Sequence, residues 1–364
     1  MHTRPVTDDP IQTELTRGSH ISIIALMNLL FEHAYRAHAS DIHIDPALHD
    51  IRIRLRIDGV MHDAYIFPKH IHTEIISRVK ILSRLRTDEH QVAQDGRFRY
   101  TSPADQSSVD MRVSIIPTHH GENAVLRLLA NNAGHFTLHS LGFSQDDQKK
   151  IRLALSRQSG MILISGPTGS GKTSTLYTFL HTIHSPEISI VTIEDPIEYA
   201  LSGITQIQTN THTGLTFANG LRSILRQDPN VIMVGEIRDK ETAHIAVNTA
   251  LTGHLLLSTI HTTDTVSVIP RLLDMGIDAY LIAATLSLIV AQRLVRTSYG
   301  GRISINEILV ITDELRELIL RKASNAELSA YARRNGMKTM LEDGLEKVQR
   351  GLTTIEDITL VMHE

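Results

Sequence analysis

Residues 166–173 read Gly-Pro-Thr-Gly-Ser-Gly-Lys-Thr, a complete match to the phosphate-loop pattern G-x-x-x-x-G-K-[ST]. The glycines allow the backbone to curl closely around phosphate oxygens with successive N–H groups turned inward. Both flanks agree. An apolar run at 161–165 precedes the loop, and Leu176, Phe179, Leu180 and Ile183 recur at helical spacing after it. Bound phosphates would therefore sit on a helix N-terminus, where free amides and the dipole favour negative charge. Gly166, Pro167, Thr168, Gly169, Ser170, Gly171, Lys172, Thr173 and Ser174 are the expected nucleotide-binding residues. Lys172 would carry its charge to the β- and γ-phosphates, and the Thr173 hydroxyl would hold Mg²⁺.

The chain around the loop keeps the same grammar. Segments 188–193, Val231–Val234 and Leu255–Ile260 are short apolar runs without alternation, as strands buried on both faces of a mostly parallel sheet require. Predicted helices at 172–184, 217–226, 240–252 and 266–275 separate several of them. Residues 146–300 are thus expected to form a doubly wound α/β domain. Upstream the period changes. A helix is expected from Ile21, with Ser19 or Ser22 as its cap. Residues 51–57 alternate strictly and end at Asp58-Gly59, which predicts a strand, a tight turn and a second strand with arginines on the solvent side. A helix over 74–85 and strands at 97–100, 109–115 and 124–129 complete a smaller α+β domain, residues 20–130. Residues 1–19 read as a flexible lead-in and 131–145 as a linker. Residues 301–364 read as a C-terminal subdomain of small amphipathic helices.

Composition narrows the chemistry. Hydrophobic residues make up 41% of the 364 and charged ones 21%, which suits buried cores and excludes disorder for most of the length. The 36 basic and 40 acidic residues leave a net charge of −4, and no stretch interleaves aromatic with basic residues, so nucleic acid is not an expected partner. With no cysteine, a disulfide scaffold, a thiolate zinc site and a cysteine nucleophile are all excluded. The 21 histidines show no metal-binding spacing. The two most apolar stretches, 21–31 and 279–291, fall short of the ~20 residues that cross a bilayer, and no leader-like segment opens the chain. A cytoplasmic location is expected.

What happens to the phosphates depends on acids and arginines elsewhere. Open α/β sheets bind ligands at the carboxyl ends of their strands, which places Glu194 and Glu198 after one strand and Glu236 after another beside the loop. Glu236 follows Gly235, where phosphate-loop enzymes often carry a magnesium-binding Asp. It would polarise the attacking water or hold Mg²⁺ through a water molecule. Glu194 and Glu198 are further candidates for orienting water or metal, with a structural role the alternative. Arg222 and Arg226 lie four apart on one predicted helix face, suited to neutralising charge in the transition state or simply to a salt-bridged surface. The first domain adds Arg112 and Arg127 on predicted strands. His261 ends a buried strand, where it would touch the γ-phosphate or else serve as a core or interface histidine.

Together these segments resemble the type II secretion and type IV pilus assembly ATPases. The resemblance rests on ASDIHIDP, IRIRLRIDGVMH, QDGRF, DMRVSIIPT and GENAVLRLL, then on GPTGSGKTSTLY, TIEDPIEY and GLTFANGLRSILRQDPNVIMVGEIRD. It continues through TAHIAVNTALTGHLLLSTIHT, RLLDMGI, AQRLVR, GRISINEIL, TDELRELI and GMKTMLEDGLEKVQRGLTTIEDI, covering roughly residues 20–362. It implies a hexameric ATPase that uses ATP with Mg²⁺, built from an N-terminal α+β domain and a RecA-like motor domain joined by a mobile linker. An Asp box at Glu194–Glu198, an atypical Walker B motif at Gly235-Glu236 and a His box from Thr252 to His261 follow by position. So does a phosphate-facing role for Arg112, Arg127, Arg222 and Arg226. ATP binding would draw the two domains together and hydrolysis release them.

The same resemblance implies partners. They are a homo-hexamer, an inner-membrane platform protein and a recruitment protein, with membrane association only peripheral and through those partners. Two departures bear on docking. The chain starts almost directly at the family's second domain, and only Thr-Ser-Tyr-Gly separates AQRLVR from GRISINEIL, where the family's tetracysteine zinc module is expected. Two alternatives remain beside the assembly motor. One is a pilus-retraction ATPase, and the other a nucleotide-binding structural switch with little turnover.

Overall fold

A short helix, α1 (Pro10–Leu15), stands where the sequence predicts a flexible lead-in. Asp9 accepts from the Ile11 N–H and Pro10 occupies the first turn, a helix start concealed by polar neighbours. Ile11 joins the core of the first unit, which is why the segment is folded. The computed structural model describes residues 9–57, 59–129 and 136–362, so residues 1–8 of the lead-in, Asp58 of the expected turn and residues 131–135 of the expected linker lie outside the described residues. The chain folds as two compact units that divide after residue 134.

In the first unit, α2 (Ile23–Arg36) begins at Ser22, whose hydroxyl accepts from the Ala25 N–H. Strands β1 (Asp41–Pro46), β2 (Asp50–Ile57) and β3 (Val60–Pro68) precede α3 (His72–Leu82). Then follow β4 (Gln94–Thr101), β5 (Ser108–Thr118) and β6 (Gly121–Leu129). The six strands form one antiparallel sheet in the order β3-β2-β1-β6-β5-β4. Strand alternation decides the two faces. Ile51, Ile53 and Leu55 of β2 and Met111, Val113 and Ile115 of β5 pack with Leu26, Met27, Leu30 and Phe31 of α2 and with Ile75 and Val79 of α3. The residues between them form the face opposite α2 and α3, and Arg54 and Arg56 there pair with Asp45 and Asp41.

The second unit starts earlier than the sequence pattern suggests. Residues 136–144 fall in the expected linker, yet Leu138, Leu141 and Phe143 are buried in this unit's core. Then come α4 (Gln145–Leu155), β7 (Gly160–Ser165), α5 (Lys172–Ile183), β8 (Ile190–Glu194), β9 (Thr205–Gln208), α6 (Phe217–Ile224) and β10 (Val231–Val234). They are followed by α7 (Lys240–Leu251), β11 (Leu255–Ile260), α8 (Val268–Asp274), α9 (Ala279–Thr285), β12 (Leu286–Arg296) and β13 (Arg302–Val310). Helices α10 (Asp313–Leu320), α11 (Asn325–Arg334), α12 (Met340–Gln349) and α13 (Ile355–Met362) complete the unit.

The sheet order is β13-β12-β7-β11-β10-β8-β9, parallel except for the β12–β13 pair. Its faces are both covered. Met161 and Leu163 of β7 join a core with α6, α7, α8 and α9, while Ile162 and Ile164 join another with α4 and α5. This is the expected α/β architecture. The sheet, however, runs past residue 300 into β13, so the predicted helical tail begins with a strand of the ATPase sheet. No turn residue separates α9 from β12, and buried polar residues such as Gln292, Asn306 and Glu307 break up the apolar runs by which β12 and β13 would be read.

Candidate active site

The phosphate loop joins β7 to α5 as the pattern requires. Gly166 has φ 149° and Gly171 φ 84°, the latter capping α5. A Cβ on Gly166 would come within 2.5 Å of the Gln292 carbonyl, and one on Gly171 within 2.9 Å of the Gln292 side-chain nitrogen. Gln292 on β12 is completely buried. Its Nε2 donates to the Ser170 carbonyl at 2.7 Å, and its Oε1 accepts from the Thr175 hydroxyl at 2.8 Å. One amide thus grips both the loop and the first turn of the helix. The first ladder bond of α5 is Thr175 N–H to Gly171 C=O, so the amides of Lys172, Thr173 and Ser174 precede the ladder, as an anion-binding helix start requires.

Lys172 Nζ donates to the carbonyls of Gly166 and Pro167, both at 2.8 Å. Burial pushes its pKa down to about 8, the negative charge of Glu236 works against that shift, and Arg293 adds to it. Thr173 is half-buried in the same first turn. Its hydroxyl is a hard oxygen donor of the kind that fits Mg²⁺ bound with a nucleotide.

Strand order places the loop, His261 after β11, Glu236 after β10 and Glu194 at the end of β8 along one edge of the parallel sheet. The turn that carries Glu236 is fixed from both sides. Gly235 N–H donates to the Ile193 carbonyl at 2.8 Å, Thr259 Oγ1 donates to the Gly235 carbonyl at 2.8 Å, and Ile237 N–H donates to the Thr259 carbonyl at 2.9 Å. Glu236 Oε2 meets Arg238 Nε at 2.5 Å and His261 Nε2 at 3.4 Å.

Glu194 is placed differently. It is buried, and its carboxylate accepts from Thr192 Oγ1 at 2.6 Å, from Gln206 Nε2 at 3.0 Å and from the Tyr177 hydroxyl on α5. Burial raises its pKa although these bonds oppose the rise. Such a carboxylate ties α5 to the end of β8 and to β9. Glu198 is linked to the same tyrosine through its backbone N–H, 3.3 Å from the hydroxyl. Arg222 and Arg226 are exposed on and just beyond α6. Arg222 pairs with Glu241 of α7 at 2.7 Å, and Arg226 donates to the Arg222 carbonyl at 3.0 Å, the salt-bridged surface that helical spacing allows.

In the first unit the strand register brings Arg112 and Arg127 directly opposite each other. Arg97 of the QDGRF segment, which no local pattern marks as a site residue, is directly opposite Arg112 on β4, and Asp41 and Arg56 continue the row across β1 and β2. Arg127 Nε donates to Asp41 Oδ1 at 2.8 Å. Burial works to raise the Asp41 carboxyl, but hydrogen bonds from Arg127 and Ser40 outweigh it and hold the pKa below the usual value. Gln292 and Arg238 are equally hidden as site residues, since both depend on β12 and the Walker B turn being folded. Only the spacing of Arg238, two residues beyond the strand-end glutamate, carries a sequence signal.

A glycine loop on a mostly parallel sheet, with a lysine on the loop and a strand-end glutamate on the same sheet edge, defines a phosphate-loop nucleoside triphosphatase of RecA-like architecture. The sequence profile of the family described as type II/IV secretion system protein matches residues 16–360. Type II secretion system protein E of Xanthomonas campestris pv. campestris is 42% identical over 98% of this chain and 70% of its own length. That alignment spans 401 positions against 364 residues here, so the relative carries insertions that this chain lacks. Type IV pilus assembly ATPase PilB of Thermus thermophilus is 41% identical over 89% of this chain and 41% of its own length. Among solved structures, the pilus retraction motor PilT with bound ADP superposes with a TM-score of 0.76 at 27% identity, covering 92% of this chain and 96% of that one. The chain belongs to the type II/IV secretion system protein family, and within it to the ATPases.

Proposed function

We propose that this chain is an ATP-hydrolysing motor that powers assembly of a type II secretion system, a pseudopilus or a type IV pilus. It works as a homo-hexamer held peripherally at the cytoplasmic face of the inner membrane by a platform protein and a recruitment protein. One observation carries the catalytic part: a preformed phosphate loop bearing Lys172 lies on the same edge of the parallel sheet as the strand-end Glu236. The amides of α5 and Lys172 bind the β- and γ-phosphates, and Thr173 holds Mg²⁺, which neutralises charge on the phosphate oxygens. Glu236 accepts a hydrogen bond from the water that attacks the γ-phosphorus. His261 adjoins the same carboxylate, and Arg112 and Arg127 take the charge that develops on the phosphate. Glu194 and Glu198 act by holding α5 in place, and Arg222 and Arg226 meet the nucleotide of a neighbouring subunit.

Phosphate release by the purified full chain, whose assembly size is measured by light scattering, tests this reading. Native protein should turn over ATP with Mg²⁺ as a hexamer, and Glu236→Gln should lose about 10²- to 10³-fold in kcat. Equal, slow release by both would leave only the nucleotide-switch reading. The likeness to PilT favours a retraction motor as a second reading, at lower identity than the assembly-named relatives. A deletion strain that gains pili, instead of losing them or losing secretion, would decide for retraction.

A further inference from the structure

Arg238 lies in the turn between β10 and α7, two residues beyond Glu236. Its Nε is 2.5 Å from Glu236 Oε2, and His261 Nε2 faces that same oxygen at 3.4 Å. The Glu236 side chain is 12% exposed and that of Arg238 is 63% exposed, so the guanidinium covers the carboxylate from the solvent side. Asp195, in the turn after β8, adds a second negative charge that acts on Arg238. The backbone around Glu236 is already fixed by its bonds to Ile193 and Thr259. What the backbone leaves undetermined is the torsion of the glutamate side chain, and a charge-assisted bond to one oxygen removes that freedom.

We propose that Arg238 is a positioning residue, whose guanidinium holds Glu236 Oε2 so that Oε1 is aimed at the water attacking the γ-phosphate. This rests on the reading of Glu236 as the water-polarising carboxylate. Arg238 touches neither nucleotide nor water in this scheme; it acts through Glu236. Its removal should therefore slow the chemical step and spare nucleotide binding, because the loop, Lys172 and the α5 amides are untouched.

The test compares steady-state phosphate release with the affinity for a fluorescent ADP analogue, using the purified full chain. Arg238→Ala should lower kcat about tenfold, the size of one charge-assisted hydrogen bond, while KM and ADP affinity stay within about twofold. Arg238→Lys, which keeps the charge and loses the fork, should fall between native and alanine. Millimolar guanidinium ion should restore part of the alanine variant's kcat and leave native protein unchanged. In a Glu236→Gln background Arg238→Ala should cost nothing further. A loss of ADP affinity as large as the loss of kcat would overturn the proposal. So would an equal loss in the Glu236→Gln background, or a native rate in Arg238→Ala while Glu236→Gln is inactive. A native rate in Glu236→Gln itself would instead remove the underlying reading of Glu236, whatever Arg238→Ala does.

Discussion

Lys172 enters the phosphate loop with two carbonyl partners and a glutamate in electrostatic reach, on a loop gripped by a buried glutamine. Arg97, Arg112 and Arg127 instead stand opposite one another on three neighbouring strands, followed by one carboxylate, Asp41, and then by Arg56. Like charges directly opposite each other cost roughly 0.2–1 kcal/mol per pair. A sheet selected for its own stability would alternate sign, as the next pair along does, where Arg99 Nε meets Asp110 at 2.8 Å. The contrast teaches what each region is built for. The loop is prepared for an anion by buried hydrogen bonds, which cost nothing further when the ligand arrives. The arginine row concentrates positive charge on a partly exposed face, where an added anion would ease the repulsion between neighbours.

The hardest way to break this contrast is to remove the lysine. Lys172→Met should abolish turnover, by about 10³-fold or more, because no other group on the loop brings charge to the γ-phosphate. Free of nucleotide, the same variant should melt at a higher temperature than native protein at pH 7. Burial disfavours the ammonium, and methionine fills the same volume without a charge. A melting temperature below native would show that the lysine holds the loop together and is not a strained ligand.

The arginine row should respond in the same sense with smaller numbers. Arg112→Ala should cut kcat by about 10²-fold, as removal of an arginine that stabilises transition-state charge does. It should change stability without nucleotide by less than about 1 kcal/mol, since truncation also removes two like-charge neighbours. Arg99→Ala, one pair along, is the control: it loses a pair with Asp110 and should leave kcat as it was. If both variants slowed turnover equally, the row would have no special role.

Gln292→Leu probes why the loop is rigid. The Ser170 carbonyl and the Thr175 hydroxyl would each lose a buried partner, at about 1–3 kcal/mol of stability. A loosened loop should raise KM for ATP about tenfold and change kcat less. A rise in neither, with stability reduced, would make Gln292 an ordinary core residue.

How legible the molecule is in its sequence depends on how local each signal is. The loop and its flanks can be read because the glycine spacing, the preceding apolar strand and the following helix lie within about twenty residues. Glu236 follows from the end of an apolar run. Strands β12 and β13 are not legible, since β12 follows α9 with no turn residue between them and buried polar residues such as Gln292, Asn306 and Glu307 break up the apolar runs. Gln292 is lost with them, a residue separated from the loop by more than a hundred positions. Arg97 needs the β4–β5 register, which no pattern in the chain specifies. Glu194 groups with Glu236 in the sequence because both end strands, and only the partners of its carboxylate separate the two.

The smallest effect follows from the lysine's lowered pKa and has a definite sign. Below about pH 8 Lys172 is protonated in both folded and unfolded chains, and the folded state bears the full cost of burying the charge. Between pH 8 and the ordinary lysine value of about 10.5 the unfolded chain keeps a proton that the folded chain has released. Stability contributed by this group therefore rises with pH across that window. Nucleotide binding runs the other way, because phosphate needs the ammonium. Affinity for ADP should fall about threefold between pH 7.5 and 8.5, a range in which the terminal phosphate is already ionised. Lys172→Met should bind weakly with no slope across this range. The arginine row predicts no slope at all, since guanidinium does not titrate there. A native profile that is flat from pH 7.5 to 8.5 would mean that the loop's carbonyls and Glu236 keep the ammonium charged, and the contrast with the arginine face would then lie in geometry alone.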